Sequence, residues 1–79
     1  MVLDLKPLKD FLASNIIKDG SIPENDSPLF TNGLIDSFGM LDLLFFINEQ
    51  YGVRIEDFEM VDRSVDSIND IKDLIISKL

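Results

Sequence analysis

The chain has 79 residues, 46% of them apolar, with no cysteine and no histidine. One small domain spanning residues 1–79 is therefore expected, and neither a disulfide framework nor a thiolate or imidazole metal site is available to support it, so helix packing must build the core. Fifteen acidic residues against seven basic ones give a formal charge of −8. That balance repels nucleic-acid phosphates and anionic membrane surfaces, and it favours transient docking on a basic protein surface.

The opening MVLDLKPLKDFLASN lacks the apolar core and small-residue cleavage site of a secretory signal, and no apolar run approaches the length of a membrane span. The cytoplasm is the expected location, without membrane insertion. Leu5, Leu8, Leu12 and Ile16 recur at helical spacing, Asp4 can cap, Pro7 falls in the tolerated first turn and Gly20 follows the last apolar position. The pattern predicts a first helix from Leu5 to Lys18.

From Gly20 to Asp36 the sequence reads GSIPENDSPLFTNGLID, with two prolines, two glycines and no sustained period. A structureless connection longer than about 12 to 15 residues is uncommon in so small a domain and is often functional. Ile22, Leu29, Phe30 and Leu34 are expected to pin this loop to the core.

The second helix is predicted between Asp36, a preferred cap, and Gly52, a preferred terminator. Steps of about 100° per residue place Met40, Leu43, Leu44, Ile47 and Tyr51 on one side, which is core. The opposite side carries Phe38, Leu41, Asp42, Phe45, Phe46 and Glu49, large apolar groups mixed with carboxylates. A contiguous apolar face of this kind wants a partner.

After Val53-Arg54-Ile55, the acidic EDFEMVD has room for only a turn or two of helix, with Phe58 and Val61 expected to pack inward. Ile68, Ile71, Leu74, Ile75 and Leu79 mark a final helix, with Ser67 and Asp70 as an approximate capping box. The expected fold is all-α: a small four-helix bundle with three longer helices, a short third one and a long loop between the first two. That loop is long enough to let helix two run roughly parallel to helix one.

Without histidine or cysteine there is no ordinary serine triad, no Cys-His pair and no imidazole ligand, so catalysis by the chain itself is not expected. The carboxylates read more simply as solvated surface groups than as an acid-base pair. The acidic run from Glu56 to Asp62 lacks the alternating ligands and central glycine of a calcium loop. No metal is expected.

Asp36-Ser37 has two readings. In one, Asp36 caps helix two and Ser37 is a small polar residue of its first turn. In the other, Ser37 anchors a prosthetic group. The segment GLIDSFGMLDLL resembles the phosphopantetheine attachment motif of acyl and peptidyl carrier proteins: a glycine, two residues, then Asp-Ser followed by a large apolar residue. Gly33, Asp36, Ser37 and Phe38 match it.

The resemblance extends to length, acidity, the long first loop, the serine opening helix two, the short third helix and the amphipathic fourth. It implies a bundle of acyl-carrier type and a stand-alone, monomeric carrier. Leu29 to Gly39, LFTNGLIDSFG, looks most like D-alanyl carrier proteins, while the remainder is similar to acyl carriers of specialised lipid or polyketide pathways.

The resemblance further implies a 4′-phosphopantetheine arm from coenzyme A on Ser37, attached by a phosphopantetheinyl transferase. A ligase or acyltransferase would load the arm, and acyl-processing enzymes with basic surfaces would receive its acyl or aminoacyl cargo. Asp36 would orient the serine hydroxyl and contact the transferase. Phe38, Leu41, Asp42, Phe45, Phe46 and Glu49 would meet the partners.

A phosphodiester on Ser37 would lie at the positive end of helix two, where backbone N–H groups favour anions. An arm with its own thiol would also face no competing protein thiol. Gly39 and Met40 stand where fatty-acid carriers frequently have an acidic and a small polar residue, and Asn48 and Gln50 replace carboxylates. The resulting face is greasier than usual and points to a dedicated pathway. The rival readings are an acidic helical interaction module or homodimer that uses the Phe38, Phe45 and Phe46 face without a prosthetic group, and a carrier-like regulator that has lost modification.

Overall fold

The computed structural model describes residues 3–17 and 20–79. Helix α1, Lys6–Phe11, starts with Pro7 in its first turn, where the missing N–H costs nothing. Leu5 occupies the cap position, and Asp4 contributes by accepting a hydrogen bond from the Lys6 N–H at 3.1 Å. From Leu12 to Ile16 the helix widens into a π turn, closed by the Ile17 N–H on the Leu12 carbonyl at 2.8 Å.

That widening changes which side chains reach the core. An unbroken α-helix would carry the stripe from Leu8 and Leu12 to Ile16, whereas the extra residue in the turn delivers Ile17 to the interior and leaves Ile16 partly covered at its edge. Lys18, the expected end of the first helix, lies outside the described residues.

Among residues 20–36 no helix forms, as the glycines and prolines imply. Leu29 and Ile35 are buried and Phe30 is partly so, but Ile22 and Leu34 are exposed and do not pin the loop. Ile35 takes the anchoring position expected of Leu34, because Asn32 bends the chain by accepting the Leu34 N–H at 3.1 Å.

Helix α2, Ser37–Tyr51, runs from the Asp36 cap to Gly52, whose φ of 71° ends it in the left-handed region. Leu43, Leu44 and Ile47 are buried, with Met40 and Tyr51 packed at their edge. The Tyr51 hydroxyl donates to the Asp4 carbonyl at 2.7 Å and ties the end of α2 to the start of α1.

Helix α3, Asp57–Asp62, is fixed by a reciprocal box between Glu56 and Glu59, in which the Glu56 N–H donates to Glu59 at 2.7 Å. A helix this short offers the core one position, and Met60 fills it. Phe58 and Val61 were expected inward, yet they are 60% and 74% exposed, because they lie about 200° and 100° around the helix from Met60.

Helix α4, Ile68–Lys78, buries Ile68, Ile71, Leu74 and Ile75; Leu79 follows its last turn and is exposed. Ser67 accepts the Asp70 N–H at 3.1 Å, but Asp70 accepts from the Asp66 N–H at 3.0 Å rather than from Ser67, so the capping box is offset by one residue. A half-buried ion pair, Lys78 Nζ to Glu59 Oε1 at 2.7 Å, fastens the end of α4 to α3.

The described residues thus form a small all-helical bundle of four helices, with no strand among them. No helix is long and apolar enough to cross a membrane.

Candidate functional site

Asp36 stands in extended conformation before α2 and accepts the Gly39 N–H on its Oδ1 at 2.7 Å, while its carbonyl accepts the Met40 N–H at 2.9 Å. Those two bonds satisfy the third and fourth N–H groups of the helix. The first two, on Ser37 and Phe38, have no acceptor within the helix and face the space at its head. Ser37 itself is exposed.

The approach to this helix is a turn closed by two nested hydrogen bonds. The Gly33 N–H donates to the Phe30 carbonyl at 3.1 Å, with Gly33 at a φ of 81°, and the Ile35 N–H closes back on the Leu29 carbonyl at 2.9 Å. A side chain is strained at that φ, so Gly33 is structurally required by the turn. Buried Leu29 and Ile35 anchor its two ends.

Asp66, between α3 and α4, holds the first arm of the turn. One carboxylate oxygen accepts three successive N–H groups, from Leu29 at 3.3 Å, Phe30 at 2.8 Å and Thr31 at 3.0 Å; the other accepts the Thr31 hydroxyl at 2.6 Å. The Asp66 carbonyl accepts the Leu29 N–H at 2.7 Å. The Thr31 hydroxyl, followed by the backbone N–H donors, holds the Asp66 carboxyl below its ordinary range despite some desolvation.

Two clefts flank the head of α2. Met40, Met60, Val61, Val65, Phe30 and Ile35 make the apolar lining of one, about 420 Å³ in volume, which Ser37 and Asp36 also border. The other, about 490 Å³, is of mixed character, with Asn15, Asp36 and Asp42 beside Ile16, Leu34 and Phe38. Leu44 and Ile47 are buried in the core, as their side of the helix implies, and border neither cleft.

Gly39 borders the mixed cleft, and it is glycine for a packing reason. A Cβ there would stand 3.2 Å from Ile35 and 3.3 Å from both Asp36 and Ile16, so the bare backbone lets the π turn approach the first turn of α2.

The outer face of α2 carries Phe38 at 79% exposure and Phe45 at 70%, with Leu41, Asp42 and Glu49 also exposed. Phe46 does not belong with them. Its ring stacks on Phe11 at 4.3 Å and meets Tyr51 edge-on at 6.4 Å, and it is only partly exposed. Phe58 and Val61 of α3 are exposed as well, and Val61 reaches the cleft that Ser37 borders.

Sequence reasoning brings together Asp36, Ser37 and Phe38, but it misses Asp66 and the α3 wall of the apolar cleft. Asp66 looks like one carboxylate among many, and its partners are 35 to 37 residues away. No local pattern marks such a contact. Among the described residues no group of three or more potential metal-ligating side chains is assembled. Compared with protein-family models, curated proteins and solved structures, the chain gives no match in any of the three.

Proposed function

We propose that the protein is a non-enzymatic carrier of acyl-carrier type, modified on Ser37 with 4′-phosphopantetheine. The observation that carries this reading is an exposed serine at the head of a fifteen-residue helix, immediately after its cap and beside an apolar cleft. In the attachment reaction the Ser37 Oγ attacks the β-phosphorus of coenzyme A, the pyrophosphate P–O bond breaks, adenosine 3′,5′-bisphosphate leaves, and the serine proton passes to a base on the transferase.

The local chemistry fits such a group. The N–H groups of Ser37 and Phe38 face outward from the helix start and suit a phosphodiester oxygen, with the helix dipole adding to the attraction. Asp36 spends Oδ1 on the Gly39 N–H, and as an exposed residue its carboxylate is open to contact by a transferase. The bound arm would supply the thiol on which an acyl or aminoacyl group travels as a thioester.

Phe38, Leu41 and Phe45, flanked by Asp42 and Glu49, offer partner enzymes an apolar centre with an acidic rim. The −8 charge makes basic partner surfaces the complementary choice for a transferase, a loading ligase or acyltransferase, and downstream acyl-processing enzymes. The walls of the apolar cleft, Met40, Met60, Val61 and Val65, suit a hydrocarbon cargo, and Asp36 at the border is the lining carboxylate that the ammonium of an aminoacyl cargo would meet.

A second reading rests on the same outer face: an acidic interaction module or homodimer needs only Phe38, Leu41 and Phe45 and no arm. Incubation with coenzyme A and a broad-specificity transferase separates the two. The carrier gains the mass of one arm and Ser37→Ala does not; the module gains none, and a homodimer shrinks in apparent size on dilution.

A further inference from the structure

We infer that Asp66 is a positioning residue for the modification of Ser37: its carboxylate locks the loop leading into α2 in the arrangement that a transferase recognises. The inference rests on the carrier reading above. Thr31, Asn32, Gly33 and Leu34 are all exposed, so no buried side chain orders the arc between Phe30 and Ile35. Buried Leu29 and Ile35 fix only its ends. The Asp66 carboxylate supplies what apolar anchoring lacks, a fixed negative charge surrounded by three successive N–H groups and one hydroxyl.

Asp66 is itself held. Its N–H donates to the Asp70 carboxylate in the first turn of α4 at 3.0 Å, and the Leu29 N–H reaches its carbonyl at 2.7 Å. A second strut, the Asn69 N–H to the Asn25 carbonyl at 2.9 Å, joins the same helix to the earlier part of the loop. The connection runs without a break from α4 through Asp66 to residues 29–31, then across the Ile35 to Leu29 bond to the Asp36 cap and Ser37.

The loop is thereby ordered before any partner arrives, and ordering completed in advance is not charged against binding. Removing the carboxylate releases the arc while leaving α2, its cap and Ser37 in place. The consequence belongs in recognition of the protein by the transferase rather than in the chemical step.

The test is the steady-state kinetics of arm transfer from coenzyme A to the full chain, with Ser67→Ala as a control that removes the acceptor of the Asp70 N–H but leaves the Asp66 carboxylate and its bonds to residues 29–31. Asp66→Ala is expected to raise KM for the protein about tenfold with kcat changed by less than about twofold. Asp66→Asn, whose amide oxygen can still accept N–H groups, should fall between, and Thr31→Val should show a smaller rise. Ser67→Ala should keep the original KM despite a lowered Tm.

An unchanged KM in Asp66→Ala overturns the inference, as does an equal rise in Ser67→Ala, which would reduce Asp66 to a stability effect. Should Asp66→Ala not fold, unchanged KM in both Asp66→Asn and Thr31→Val overturns it equally. Failure of the unaltered protein to accept the arm removes the carrier reading itself and this inference with it, an outcome distinct from normal modification that is indifferent to Asp66.

Discussion

The ring of Phe46 lies on Phe11 with centroids 4.3 Å apart and planes 14° from parallel, so one of the two adjacent phenylalanines of α2 belongs to the fold and the other to the surface. Phe46→Ala should cost about 2 kcal/mol, below the range for a fully buried phenylalanine because part of its surface is already wet. Phe45→Ala should stay within about 0.5 kcal/mol of the original stability. Urea unfolding of the two variants checks the contrast, and equal losses would contradict the assignment.

Gly39 supports a second prediction. Helix propensity alone favours replacing it by about 1 kcal/mol when the new residue is alanine. The ring of contacts at 3.2 to 3.3 Å from Ile35, Asp36 and Ile16 opposes any larger side chain. Gly39→Val should therefore destabilise the protein by about 1–3 kcal/mol, read as a lower denaturant midpoint with little change in slope. A stabilised Gly39→Val would mean that the π turn does not press against α2.

Acid should loosen the domain from α3 and the loop together. Glu59 is held below its ordinary value first by the hydrogen bond from Lys78 and then by the Glu56 N–H, and Asp66 first by the Thr31 hydroxyl. A depressed folded-state value contributes stability that is fully present above the unfolded carboxylate range, near pH 4, and is lost as pH falls through the folded value. A pH series of amide spectra should show Phe30 and Thr31 shifting with the Asp66 carboxyl below pH 4, and Asp66→Asn should remove that transition. Persistence of the transition in Asp66→Asn would place its origin elsewhere.

The α2 cap carries a separate prediction. Asp36→Ala removes the acceptor of the Gly39 N–H and should cost about 1 kcal/mol, in line with other caps. If capping is its only role, Asp36→Asn should restore both stability and arm transfer. If it also contacts the transferase through its charge, Asp36→Asn should restore stability alone. Thermal unfolding and transfer rates measured on the same samples distinguish these results.

Local chemistry made the helices legible. Asp36 and Gly52 bracket α2 because capping and left-handed termination depend on residue types within a few positions, and Ile68 to Ile75 show their periodic stripe directly. The errors arose where a single residue changes the phase. The π turn replaces Ile16 by Ile17 in the core, and the Glu56–Glu59 box sets α3 so that Met60 rather than Phe58 or Val61 points inward. The place of Ser37 at the head of α2 follows from its neighbours, whereas Asp66 bonds across 35 or more residues and becomes visible only when the loop is folded.

The intact mass of the unaltered chain, after incubation with coenzyme A and a broad-specificity transferase, bears most directly on the carrier reading. One 4′-phosphopantetheine is expected to be added, mapped by peptide fragmentation to Ser37 and absent from Ser37→Ala. An unchanged mass under conditions that fully modify a known carrier in the same mixture, or an addition mapped to another side chain, would contradict it.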